Sequence, residues 1–258
     1  MKLRVEARLD YAFDAPTDIL LQIEAAAIPE QSVADASTRL SECTHIARVA
    51  AQDGIGDRIW VQAERGLTVD YSATVAINRI LADISTLPEV PPHLLPGETV
   101  QYLLPSRYCP SDRFQPFVNR TFGTVRGGAR VAAVRDWIGE NILYTPGASR
   151  SSTTATDTFV ERQGVCRDFT HLLITLARAG GVPARFASVY APKVEPPDFH
   201  AVAEVFLGGE WHLVDATGMA QEGQMAKIGV GRDAADVAFL TSFGPVTMNE
   251  QRVSVEVV

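Results

Sequence analysis

Cysteine is scarce in this chain: three among 258 residues, Cys43, Cys109 and Cys166, with no two close together. An odd count without paired spacing argues against a disulfide framework and for a reducing compartment. C-x-x-C and H-E-x-x-H are both missing, so the common zinc patterns fall away and no metal or other cofactor is expected. No apolar run approaches the roughly 18 residues of a membrane-spanning helix. The opening MKLRVEARLDYAF breaks its apolar residues with charges at every second position, unlike a secretory leader. A cytoplasmic protein that engages no membrane is the expectation. Basic runs are missing too: 23 Lys and Arg stand against 31 Asp and Glu, a net charge of −8. That removes the electrostatic footprint of a nucleic-acid binder. With 46% hydrophobic and 21% charged residues, the composition is that of a folded globular chain. Its length suits one large domain or two modest ones.

What is present divides into two halves. In KLRVEARLDYAF, Leu3, Val5, Ala7, Leu9 and Tyr11 alternate with polar neighbours, the period of a half-buried strand. DILLQIEAA and RIWVQAE are further strand-like runs, and GLTVDYSATVAI alternates Leu67, Val69, Tyr71 and Ala73. Short strands with turns such as QDGIGD between them predict an antiparallel sandwich over residues 1–97. PEVPPHLLPGE (88–98) holds four prolines in eleven residues and marks a crossing, because proline fixes φ and lacks a backbone donor. Residues 98–258 form the second predicted domain. Val131, Val134, Ile138 and Ile142 place a helix over about 127–142. DTFVERQG reads as a short helix capped by Thr156 or Asp157. In GVCRDFTHLLITLARAGG, residues Phe169, Leu172, Leu173, Leu176 and Ala177 share one helix face. Gly180-Gly181 ends that helix. Strands follow at 184–190, 200–207 and 210–216, and the tail VTMNEQRVSVEVV offers one more strand or pair. Helices first and antiparallel strands after make an α+β pattern.

Cys166 sits in the first turn of its helix, where free backbone N–H groups and the positive dipole end favour a thiolate. The same N–H groups can hold a developing oxyanion. The plain alternative is a small buried residue, the fate of most free cysteines, and Cys43 and Cys109 are read that way. A nucleophilic cysteine needs a base, and the base an orienting group. His45 and His93 lie in the first half and the proline-rich crossing. His171, five residues past Cys166, is turned about 140° away on a helix. His200 and His212 remain, on the predicted hairpin. If Gly208-Gly209 is a two-residue turn, Leu207 faces Glu210 and Asp215 faces Val202. His200 and Asp215 are then diagonal neighbours on one face, at roughly 7–8 Å, and His212 points the other way. Cys166, His200 and Asp215 therefore form a workable triad.

Together, GVCRDFTHLLITLARAGGVPARF, HAVAEVFLGGEWHLVDAT and GVGRDAADVAFL resemble the bacterial transglutaminase-like cysteine hydrolases. YLLPSRYCPSD resembles the segment joining that family's N-terminal β domain to its catalytic core. The resemblance implies a papain-like core with a Cys/His/Asp triad at Cys166, His200 and Asp215. It departs from the family at Ala216, where proline is more frequent, at Gly218, where asparagine is common, and at Arg167, where glutamine is frequent. The implied reaction is attack of Cys166 on a peptide or amide carbonyl through a thioester, resolved by water or by an amine. Hydrolysis is favoured, with amine transfer and a non-catalytic binding module as alternatives. GVGRDA matches a dinucleotide fingerprint, but too little chain follows it for such a fold. Asp168 reads as an acid favouring the helix dipole, and Glu204 as a strand carboxylate on the His200 face. Tyr144 and Gln163 are candidates for a second oxyanion donor.

Overall fold

A computed structural model describes residues 1–258. The first half builds six strands: β1 (Lys2–Ala12), β2 (Thr17–Leu21), β3 (Gln31–Leu40), β4 (His45–Ala50), β5 (Asp57–Ala63) and β6 (Gly66–Ile77). The alternation in β1 is realised side chain by side chain. Leu3, Val5, Ala7, Leu9 and Tyr11 are buried, while Lys2, Arg4, Glu6 and Arg8 face out. Full burial of each large apolar side chain contributes about 1.5–3 kcal/mol, so a one-residue slip of register would forfeit several such terms at once. β3 and β4 carry no apolar alternation and are mostly exposed; their place comes from pairing with β6 and β5.

The second half contains α1 (Gln115–Phe122), α2 (Gly127–Asn141), β7 (Leu143–Tyr144), α3 (Ala155–Glu161), β8 (Gln163–Gly164) and α4 (Cys166–Ala179). Strands β9 (Ala184–Tyr190), β10 (His200–Leu207), β11 (Glu210–Val214), β12 (Ala226–Gly231), β13 (Leu240–Ser242) and β14 (Thr247–Val257) follow. α3 begins two or three residues earlier than the sequence suggests. Thr154 is its cap, and Asp157 returns a bond to the Thr154 backbone as the third residue of a capping box. The mean α+β character is as expected, with antiparallel sheets throughout except the short parallel pair β7–β8.

Two sheets, ordered β14-β1-β6-β3 and β13-β2-β5-β4, close over one core. The tail therefore differs from the division drawn at residue 97. β14 pairs with β1 from Leu3–Val257 to Ala12–Thr247, and β13 pairs with β2. The buried flanks of β1 and β2 need partners on both sides, and no segment of the first half supplies the second one. The third sheet, β11-β10-β9-β12, receives α4 on one face. Leu172, Leu173 and Leu176 meet Ala201, Ala203 and Val205 in that core.

Buried charges bind the third sheet to the sandwich. Glu204 is fully buried and accepts from Arg185 Nε at 2.6 Å, with Lys227 on its other oxygen. Arg185 also reaches Asp53 at 2.8 Å, and Lys227 pairs with Glu30. Burial would raise the Glu204 carboxyl, but Lys227 and Arg185 hold it down at about 2.

Candidate active site

Cys166 opens α4, and its neighbours fix that start. Asp168 Oδ2 accepts from the Val165 backbone N–H at 2.9 Å, and Oδ1 accepts from Ser149 Oγ at 2.9 Å. A Cβ on Gly164 would stand 2.6 Å from the Asp168 Cβ, so only glycine admits this approach. Asp168 is thus more than a first-turn acid: it joins the helix start to the 149–153 loop. Arg167 strengthens the same link, donating to the Arg150 carbonyl at 3.0 Å and lying 4.4 Å over the Tyr108 ring.

The β10–β11 hairpin brings the other two expected residues to the cysteine. Gly208 and Gly209 take φ of +62° and +94°, the pair of positive values that a tight primed turn demands. Leu207 faces Glu210, and Ala203 faces Val214. One step further along, His200 and Asp215 meet: His200 Nε2 lies 3.0 Å from Asp215 Oδ2. Asp215 is held in turn by donors from its own loop. Oδ1 accepts from the Thr217 N–H and hydroxyl at 2.8 and 2.7 Å, and Oδ2 from the Ala220 N–H at 2.8 Å. Gly218 in that loop has φ +73°, a conformation that glycine and asparagine both tolerate. The departure from asparagine there leaves the turn geometry open to the same backbone shape.

His200 Nδ1 is buried and has no hydrogen-bond partner, and the Cys166 side chain stands beside the ring. Burial alone would lower the His200 pKa. The hydrogen bond to Asp215 and the approach of Cys166, with the charges of both, carry it up to about 9. Burial likewise pushes Asp215 up, but the His200 bond and charge, then Thr217, hold it below the usual carboxylate range.

Cys166 is half-buried and opens, with His200, on a cavity of about 470 Å³. Phe186, Phe199, Val237 and Phe239 give it apolar lining, and Arg150, Arg167 and Asp198 add charge of both signs. Asp198 and the 149–151 loop are missed by the sequence reading, because neither carries a motif.

Of the remaining candidates, Tyr144 stands beside the cysteine and the others lie away from it. The Tyr144 hydroxyl lies against the Cys166 backbone N–H, and burial with the nearby charges pushes its phenol up to about 12. Gln163 is placed on β8 opposite Leu143 and does not line the cavity. Glu204 belongs to the ion network already described. His171 is fully buried, accepts from the Ala234 N–H and stacks on Tyr108; burial holds it neutral. His212 lies 4.0 Å from Glu222, and His45 and His93 are exposed. Cys109 is buried in the helical core and Cys43 is half-buried. The glycines of GVGRDA serve close packing: a Cβ at Gly229 would strike Gln22, and one at Gly231 would strike Asp236 and Val237.

The profile of the transglutaminase-like superfamily matches residues 118–216, a span that contains Cys166, His200 and Asp215. The crystal structure of a candidate cysteine protease from Cytophaga hutchinsonii superposes with a TM-score of 0.93 at 34% identity, covering 99% of this chain and 90% of that one. An uncharacterised protein of Mycobacterium leprae is 32% identical over 118 residues, 43% of this chain and 42% of the relative. One from Mycobacterium tuberculosis is 32% identical over 112 residues, 38% of this chain and 36% of the relative. The matched part thus spans about two fifths of those mycobacterial proteins. No helix is long and apolar enough to cross a membrane.

Proposed function

The chain belongs to the transglutaminase-like superfamily, and from that footing we propose that it is a thiol acyl hydrolase, a cysteine peptidase or amidase acting through Cys166, His200 and Asp215. One observation carries the reading. His200 has Asp215 on Nε2, an unpartnered Nδ1, and the cysteine of a helix start beside it, with Cys166 and His200 opening on one cavity.

In the proposed reaction the Cys166 sulfur, its proton taken by His200, attacks the carbonyl carbon of a bound amide. Backbone N–H groups at the start of α4 receive the oxyanion. The C–N bond breaks as His200 returns its proton to the leaving nitrogen, and a thioester remains. Water, deprotonated by His200, attacks the thioester carbon; the acid departs and the thiol is restored. Asp215 holds the imidazole in one orientation and supports its charged form throughout. The three cysteines are free, which suits a chemistry that needs a reduced thiol; a reducing compartment such as the cytoplasm is proposed with it. The partner is a peptide, protein or other amide substrate.

The test is a peptide-library digest read by mass, with labelling by a peptide vinyl sulfone in parallel. Cleavage and fast labelling of Cys166 in wild type, both lost in Cys166→Ala, are expected. Labelling no faster than that of free cysteine overturns the enzyme reading. A primary amine added to the digest separates the alternatives, since exclusive amide product would replace hydrolysis by acyl transfer.

A further inference from the structure

The cleft around Cys166 shares one side chain with a second groove. That groove, about 510 Å³, runs between the 191–198 segment and Gln251–Val255 of β14, and Asp198 lines both spaces. Asp198 Oδ1 accepts from the Phe199 N–H at 2.7 Å and from Gln251 Nε2 at 2.6 Å. Its Oδ2 accepts nothing, and no cationic side chain pairs with it. Several other shielded carboxylates are matched by a cation within the protein, Glu24 by Arg48, Glu30 by Lys227, Glu204 by Arg185 and Asp236 by Arg232, while the buried Asp233 is satisfied by the backbone N–H groups of Tyr108 and Ala235. Lys193 and Arg252 line the groove without pairing with Asp198. Arg150 and Arg167 line the same cleft with the opposite sign, Arg167 lying 3.5 Å from Asp168.

We propose that Asp198 is the specificity residue that receives a cationic group of the substrate, an ammonium or guanidinium close to the cleaved amide. The proposal rests on the hydrolase reading above. Three features support it. Gln251 takes one carboxylate oxygen and orients the other, so the acceptor is fixed before substrate arrives. Burial, which pushes the Asp198 carboxyl up while His200 pulls it down, makes an incoming cation a better partner than it would be on the surface. Arg150 and Arg167, which line the same cleft, repel that cation and leave Asp198 as its partner there. Gln251 belongs to a strand of the sandwich, which gives that layer a part in substrate choice.

The experiment compares N-acetylated peptides with Lys, norleucine or Glu at successive positions about the cleaved bond, alongside the same peptides with a free α-amino group. Wild type is expected to favour a cationic peptide over its norleucine match about tenfold in kcat/KM. The preference disappears in Asp198→Asn and turns toward Glu in Asp198→Lys. Preference carried by the free amino group assigns the cation to a chain terminus, and preference carried by Lys assigns it to a side chain. Equal rates for cationic and neutral peptides, or a preference that survives Asp198→Asn, overturn the proposal. A second measurement stands apart from peptide cleavage: the rates at which aminoethyl and sulfonatoethyl methanethiosulfonate modify Cys166, read by mass on its peptide. The cation-to-anion ratio is expected to fall about tenfold in Asp198→Asn. A ratio that does not move refutes the subsite. A ratio that falls in a protein that cleaves no peptide refutes only the hydrolase reading.

Discussion

Replacing Asp215 by asparagine removes the charge that holds His200 protonated while leaving shape almost unchanged. The structure makes the loss larger than a single charge. Asp215 receives four donors: His200 Nε2, the Thr217 N–H and hydroxyl, and the Ala220 N–H. Asparagine has one acceptor oxygen, so its NH2 must face donors in either orientation. Set toward His200 and Ala220, it forfeits the imidazole bond; set toward Thr217, it breaks the loop that holds the side chain. What then remains at His200 is burial, the first influence on its pKa and a lowering one, opposed by Cys166 and by the charge of Asp198. The imidazole is expected to titrate below its ordinary 6.5 in place of about 9.

The sign for stability follows. A histidine raised above its unfolded value adds stability that is fully present below pH 6.5 and is lost as pH rises through about 9. The interval corresponds to on the order of 3 kcal/mol. Wild type is therefore expected to lose urea resistance between pH 6.5 and 9.5, and Asp215→Asn to show a flat profile over that range. Turnover falls in the variant by about 10- to 200-fold, the loss of one charged hydrogen bond at 1.5–3 kcal/mol, and its alkaline limb moves to lower pH. Histidine-selective ¹³C NMR reads the titration directly, without any substrate. A wild-type His200 titrating near 6.5, or a midpoint that Asp215→Asn leaves in place, refutes the reasoning.

Gly164→Ala forces a Cβ to 2.6 Å from the Asp168 Cβ, and is expected to cost about 1–3 kcal/mol in urea unfolding, as overpacking does, and to slow Cys166 labelling by shifting the helix start. Glu204→Gln leaves Arg185 and Lys227 buried with Asp53 and Glu30 as their remaining anions; a loss of about 3 kcal/mol is expected in chemical denaturation, and a change under 1 kcal/mol would show the network to be weak. Thr154→Ala removes the capping box of α3, with an expected loss of about 1 kcal/mol in thermal unfolding monitored by circular dichroism.

How much of this was legible in the sequence depends on where each signal lives. β1 and β6 were readable because every second residue is buried, which turns pairing into a local pattern. The relation between His200 and Asp215 was readable because two glycines fix the turn and parity does the rest. β3 offers no such pattern, since QSVADASTRL exposes most of its residues and owes its conformation to β6. β12 stays hidden as well, because its glycines answer Gln22, Asp236 and Val237, contacts that only the folded chain brings near. The tail read as a strand, but nothing local tells a strand which sheet it will join. Asp198 stayed hidden for the same reason: the side chain that orients it is Gln251, on a strand reached only after β10 to β13.

The sandwich and the third sheet are coupled at His200 itself. Phe199, the residue before His200, is buried in the sandwich core, with its ring stacked 4.8 Å from Phe239 and 5.5 Å from Tyr190. Tyr190, at the end of β9, donates its hydroxyl to the Ile23 carbonyl at 2.7 Å, so the adjoining ends of β9 and β10, where His200 lies, are both tied to the sandwich core. The charges behind the sheet work in the same direction, because Arg185 and Lys227 find Asp53 and Glu30 only when the sandwich is in place. The proposed reaction requires His200 to be held within about half an ångström of its partners. Here α4 fixes the sulfur from one side of the sheet, and the sandwich fixes the imidazole from the other.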